Sequence, residues 1–302
     1  MIVISLPASL GIGKELSSIL GLKHLDVVYK LFPDNESYIR FPAHVGGEDV
    51  ILVQTTYPNQ DKRLIELLLA IDAAVSQGAR SVSAVVPYLA YARQDRVFIE
   101  GETVSIRALL RALKRAGLNR IYVIDIHKED SLTYFSGEAY NIDPTPLFAE
   151  VLKNELHNPL VVAPDLGAKR RARSLASLLR ADYTVIEKQR NRITGEVTHK
   201  LPEDLNVNER DVVIIDDIIS TGGTIAGIAK YLRSLGARRI VVTASHGLFV
   251  GNAISRLEAS GVNEVYVLKT VEKILSSGNI NVLDPASLIA GKLHGTLPIS
   301  SD

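Results

Sequence analysis

The sequence predicts an α/β fold built twice: two similar domains, each a mainly parallel sheet flanked by helices, arising from internal duplication. Three observations carry that prediction. Strand-like and helix-like runs alternate along the chain, their order repeats in the second half, and three short segments recur in the same sequence order. At 302 residues the chain also exceeds what one core usually organises, since single cores stop growing near ~250 to 300 residues.

In the first half the runs are DVILVQTT, KRLIELLLAIDAAVSQ, SVSAVVPY, SIRALLRALKRA and RIYVIDIH. That rhythm marks βαβ units and a parallel sheet covered by helices on both faces. The second half repeats it as DVVIIDDIISTGGT, IAGIAKYLRSL, GARRIVVTASH and NAISRLEASGVNEVYVLKT. Asp49-Val50-Ile51 matches Asp211-Val212-Val213, Gly78-Ala79-Arg80 matches Gly236-Ala237-Arg238, and GLNRIYV at 117–123 matches GVNEVYV at 261–267. The changeover is expected near YNIDPTPLF, where Pro144 and Pro146 disfavour continuous secondary structure, giving domains at 1–142 and 143–285.

Composition narrows the function. Lysine plus arginine equals aspartate plus glutamate at 34 each, so no global charge favours nucleic acid or an anionic membrane, and any anion site must be local. Without cysteine there is no disulfide, thiolate metal site or Cys nucleophile. The start MIVISLPASL lacks the basic region of a signal peptide, and no apolar run approaches the ~20 residues that span a bilayer. A soluble cytoplasmic protein is expected.

The repeat fails at one informative place. In the first half the strand is followed by QTTYPNQDKR, whereas in the second VVIID leads into DIISTGGT. Ligands of parallel sheets bind beyond the carboxyl ends of the strands, and that is where this second loop lies. Thr221, Gly222, Gly223 and Thr224 then open a helical run, so free backbone amides and hydroxyls can cradle a phosphate there. Asp216 and Asp217 would repel the phosphate, but they suit a neighbouring polyol or a magnesium-bound sugar. Phosphate beside vicinal hydroxyls describes ribose 5-phosphate.

VVIIDDIISTGGT resembles the phosphoribosyl-binding loop of the type I phosphoribosyltransferase fold, and further segments resemble the ribose-phosphate pyrophosphokinase (PRPP synthetase) family. These are FPDNESYIRF at 32–41, PYLAYARQDR at 87–96, DIH at 125–127, APDLGAKRRA at 163–172, and Lys188 and Arg190 in IEKQRNR. The resemblance covers nearly the whole chain. It implies Mg2+-dependent transfer of a diphosphoryl group from ATP to the anomeric hydroxyl of ribose 5-phosphate, giving PRPP and AMP. Lys188 and Arg190 would then be the catalytic cations, and Phe32, Asp34, Glu36, Arg93, Gln94 and His127 would bind ATP. Asp165, Asp216, Asp217, Ser220, Thr221, Gly222, Gly223 and Thr224 would bind ribose 5-phosphate, with His127 and Asp165 beside the metal. The resemblance also implies a homodimer or higher oligomer with the ATP site shared between subunits, and a tail, 286–302, that packs on the first domain.

Taken alone, several of these residues suit plainer roles. Asp165 fits an N-cap, residues 93–96 a surface ion pair, Lys188 and Arg190 a solvated hairpin tip, and Phe32 to Glu36 an exposed turn. His127 at a strand end fits an ordinary polar contact. GIGKELSS at 11–18 is not a P-loop, because only one residue separates its first glycine from the Gly-Lys pair where four are required. It reads instead as the start of an amphipathic helix. Two rival functions are a phosphoribosyltransferase, which leaves the first half unexplained, and a noncatalytic regulatory relative, which the retained His127, Asp165, Lys188 and Arg190 argue against.

Overall fold

The computed structural model describes residues 1–190, 197–200, 206–272 and 278–299, with the backbone alone described at 187–190 and 197–200. Two compact units divide the chain between Asp143 and Pro144, and the first also takes in Thr270–Glu272 and the chain from Asp284.

The first unit runs β1 (Ile2–Ser5), α1 (Ile12–Leu20), β2 (Lys23–Asp26), β3 (Val28–Leu31), β4 (Ser37–Arg40), β5 (Asp49–Val53), α2 (Gln60–Ser76), β6 (Ser81–Val86), α3 (Ser105–Arg115), β7 (Arg120–Ile124) and β8 (Glu138–Ile142). Six strands form one parallel sheet in the order β2-β1-β5-β6-β7-β8, while β3 and β4 form a separate antiparallel hairpin. The central strands carry near-continuous apolar runs because helices cover both faces. GIGKELSS does begin a helix, with Ile12 and Leu16 turned inward.

The second unit runs α4 (Thr145–Leu152), β9 (Leu160–Ala163), α5 (Lys169–Leu179), β10 (Asp182–Val185), β11 (Glu187–Arg190), β12 (Val197–Lys200), β13 (Asp211–Ile219), α6 (Gly223–Ser234), β14 (Arg239–Gly247), α7 (Ala253–Glu258), β15 (Glu264–Leu268) and β16 (Ile280–Leu283). Its parallel sheet has the order β10-β9-β13-β14-β15-β16, and β11 pairs with β12 as an antiparallel hairpin. The topology is that of the first unit, down to a hairpin inserted after the second strand. A last helix, α8 (Ala286–His294), belongs to the first unit, where the Thr296 and Tyr122 hydroxyls lie 2.9 Å apart.

The duplication persists at atomic detail. Arg80 pairs through two nitrogens with Asp49, and Arg238 does the same with Asp211, Nε to Oδ1 at 2.8 Å. Asn119 Oδ1 accepts from the Val82 amide at 2.8 Å, and Asn263 Oδ1 from the Ile240 amide at 2.8 Å. The recurring GAR and N-R/E-x-Y-V segments are therefore clasps that set where the fourth and fifth strands of each main sheet begin. Pro144 and Pro146, expected only to interrupt structure, open α4, since a first turn has no use for their missing amides. Among the described residues no helix is long and apolar enough to cross a membrane.

Candidate active site

Sheets of this order have a switch point where the chain, having gone to one side of the first strand, returns to the other, and ligand crevices open there beyond the strand ends. In the second unit that point lies between β9 and β13, whose register pairs Val162 with Ile214. Asp165 follows β9, and the acid pair lies near the end of β13. Topology thus brings together two segments about fifty residues apart in sequence.

Asp216 and Asp217 sit within β13 itself and not in the loop after it. The strand continues to Ile219 because β14 is equally long, pairing Asp216 with Ala244, Ile218 with His246 and Ile219 with Gly247. His246, which the sequence leaves without a role, is buried there. Asp217 is buried beside Arg171 of α5, 3.7 Å from its guanidinium, while Asp216 is partly exposed and accepts the Asp217 amide at 2.9 Å. Loss of hydration, then the charge of Asp217 and, less, that of Asp165, push the Asp216 carboxyl well above the ordinary range.

Beyond β13 come the partly exposed Ser220 and exposed Thr221, then Gly222 at φ 70° as the cap of α6. No side chain caps this helix, and its first turn presents the amides of the exposed Gly223 and Thr224. The left-handed turn suits glycine, and a β-carbon at 222 would come within 3.3 Å of the Ala253 carbonyl oxygen. The loop is braced from behind: Val250 donates its amide to the Ser220 carbonyl at 3.0 Å, and Arg256 of α7 donates to the Thr221 carbonyl at 2.7 Å. Arg171 lies within the APDLGAKRRA segment without having been singled out, and Arg256, on a separate helix, is marked by no motif. Asp165 caps the turn at Leu166–Ala168, its Oδ1 accepting from Gly167 at 2.9 Å and Ala168 at 3.2 Å.

In the first unit, Phe32, Asp34 and Glu36 occupy the exposed tip joining β3 to β4. The Phe32 amide donates to the Glu36 carbonyl at 2.9 Å, and Asn35, at φ 70°, takes the left-handed conformation that asparagine tolerates. Arg93 and Gln94 lie after β6 in a loop that Glu102 holds by accepting from the Phe98 and Ile99 amides at 2.8 and 3.0 Å. Arg93 is exposed and Gln94 partly so. His127 is three residues past the end of β7 and not at its tip, because Asp125 turns the chain at φ 43° and Asn141 Oδ1 holds the Ile126 amide at 3.0 Å. Lys188 and Arg190 fall on β11, their backbones opposite His199 and Val197, and their side chains lie outside the described residues.

Comparison with known proteins identifies the family. Residues 1–117 match the N-terminal domain of ribose phosphate pyrophosphokinase, and residues 133–258 match the phosphoribosyl transferase domain. The ribose-phosphate pyrophosphokinase of Sulfurisphaera tokodaii is 43% identical over 293 residues, 97% of this chain and 100% of that one. That of Thermococcus kodakarensis is 42% identical over 83% of this chain and 88% of its own. The crystal structure of phosphoribosylpyrophosphate synthetase from Mycobacterium smegmatis superposes with a TM-score of 0.89 at 27% identity, covering 97% of this chain and 98% of that one. The chain belongs to the ribose-phosphate pyrophosphokinase family and is an enzyme of that kind, built from two phosphoribosyltransferase-type domains.

Proposed function

We propose that the chain transfers the β,γ-diphosphoryl group of ATP to the C1 hydroxyl of ribose 5-phosphate, giving PRPP and AMP for nucleotide biosynthesis. The observation that carries this reading is the second unit's switch point, where an acid pair on β13 precedes the uncapped, amide-lined start of α6. A bond forms between the C1 oxygen and the β-phosphorus, and the bond from that phosphorus to the oxygen bridging the α-phosphorus breaks. Such a transfer needs positioning and charge neutralisation more than a covalent nucleophile.

Ser220, Thr221, Gly222, Gly223 and Thr224 hold the 5-phosphate through amides and hydroxyls, and Asp216 and Asp217 accept hydrogen bonds from the ribose. Phe32 stacks on the adenine while Asp34 and Glu36 accept from its amine, and Arg93, Gln94 and His127 hold the phosphates. Lys188 and Arg190 stabilise the charge that develops on the transferred group.

Magnesium fits the residues present: Asp165 bears on Asp216 electrostatically, and crowded carboxylates are the hard oxygen donors this cation takes. Asp165 would hold it, and its charge would offset that of the phosphates. Magnesium keeps several waters and binds through one or two protein ligands plus substrate phosphates, which suits so sparse a set. The working form is a cytoplasmic homodimer or larger oligomer in which the β3–β4 hairpin completes a neighbour's ATP site.

Phosphorus NMR of the protein with ribose 5-phosphate, ATP and magnesium tests the reading. AMP should appear together with the diphosphate signals of PRPP; release of ADP or of free phosphate alone would overturn it.

A further inference from the structure

The hairpin of β3 and β4 belongs to neither main sheet, so no strand ladder fixes where its tip sits. Besides the packing of Ile39 on the core, one carboxylate anchors it. Glu66 of α2 is fully buried, and its Oε1 accepts from two hairpin hydroxyls, Tyr29 at 2.9 Å and Ser37 at 3.0 Å. Its Oε2 accepts from Gln54 Nε2 at 2.9 Å and Arg63 Nη1 at 2.9 Å. Gln54 in turn accepts the Ala8 amide at 2.8 Å, and Arg63 forks onto Glu272 at 2.9 and 3.1 Å.

A buried charge is costly unless it is paired and fully hydrogen-bonded, and this one has four donors. Two of the four come from the hairpin, one from the residue just after β5 and one from α2 itself. The arrangement locks the hairpin against the helix and the end of the central strand. Phe32 is one residue beyond β3 and Glu36 one residue before Ser37, so any tilt at Tyr29 or Ser37 is carried directly to the tip.

We infer that Glu66 is a positioning residue for the nucleotide: through Tyr29 and Ser37 it fixes the hairpin whose tip carries Phe32, Asp34 and Glu36. The inference rests on the reading of that tip as an ATP contact. The function assigned to Glu66 is geometric, so it acts on nucleotide affinity and leaves the ribose phosphate site untouched.

The test uses the full chain with Tyr29→Phe and Ser37→Ala combined, which removes both hairpin donors yet leaves the Glu66 carboxylate paired with Arg63 and Gln54. The KM for ATP should rise about tenfold, the effect of losing hydrogen bonds to a charged acceptor, with kcat and the KM for ribose 5-phosphate nearly unchanged. Amide hydrogen exchange over residues 28–40 should quicken while the melting temperature moves little. Glu66→Gln, which keeps the shape and reverses one acceptor, should shift the same quantities in the same direction. Phe32→Ala serves as the control for the underlying reading. If it raises the KM for ATP and the double variant does not, or if hairpin exchange is unchanged in the double variant, the inference is overturned. If Phe32→Ala itself leaves the KM for ATP unchanged, the tip does not contact the nucleotide, and the nucleotide half of the inference falls with that reading.

Discussion

The two units share strand order, clasps and an inserted hairpin, yet their switch points are finished in opposite ways. In the second, Asp216 and Asp217 stand where the repeat puts Gln54 and Thr55 in the first, and the chain beyond them opens into an exposed, uncapped helix start. In the first, Leu6, Ala8, Gln54, Thr55 and Thr56 are all buried at that point. Thr55 donates its amide to the Ala8 carbonyl at 3.0 Å, Thr56 Oγ1 bonds the Tyr88 carbonyl at 2.7 Å, and Thr55 Oγ1 bonds the Thr270 carbonyl. The first switch point is filled by buried side chains whose polar atoms are bonded to surrounding backbone and to Glu66. One copy thus presents an open helix start where the other presents packing.

The hairpins diverge too, and there the largest effect is expected. Lys188→Ala on the second hairpin should lower kcat about 10²- to 10³-fold while nucleotide binding and folding stay intact, as for loss of one donor to a developing charge. Stopped-flow or steady-state kinetics beside calorimetric ATP titration would show it; an unimpaired variant removes Lys188 from the mechanism.

The paired clasps give the next contrast. Asp211 is fully buried and also accepts the His157 amide at 2.8 Å, so Asp211→Ala should cost about 2 to 3 kcal/mol in denaturant unfolding by stranding several donors. Asp49→Ala, whose carboxylate is itself partly exposed, should cost clearly less. Equal costs would mean that the clasps are not differently buried in solution.

A smaller difference separates the helix starts. Both α2 and α6 begin after a left-handed residue, Asn59 at φ 63° and Gly222 at φ 70°. Asn59→Gly should be almost neutral, while Gly222→Ala should cost about 1 kcal/mol of stability and weaken ribose 5-phosphate binding, measured by thermal melts and calorimetry.

The mildest effect is on titration. Because burial and Asp217 raise the folded pKa of Asp216 above its ordinary 3.8, the stability linked to its proton is complete below that value and is lost as pH rises through the raised one. Carboxyl-carbon NMR should find Asp216 titrating high in the free protein, and Asp217→Asn should move it back down. A titration midpoint that ignores Asp217 would contradict the electrostatic account.

Much of this contrast was legible in the sequence. Runs such as VVIID and VILV could only be buried parallel strands, and the recurring GAR and GxN segments marked the repeat. The loss of glycines in QTTYPNQDKR already said that the first copy lacked a phosphate turn. What it could not show was the partner-dependent part. β13 runs on through two aspartates because β14 offers it a ladder, Asp125 turns the chain before His127, and the bracing arginines 171 and 256 come from separate helices. Such features depend on which surfaces meet, and no local pattern encodes them. Glu66 is the sharpest case: a lone acid in an apolar helix run, explained only by donors arriving from three other segments.

The second switch point, and not the first, is expected to hold the sugar phosphate. Crystals grown with ribose 5-phosphate test it most directly. The phosphate should lie on the amides at the start of α6 and the ribose hydroxyls against Asp216 or Asp217, with the first switch point unchanged. A phosphate seated beside Gln54 and Thr55, or away from the α6 turn altogether, would contradict it.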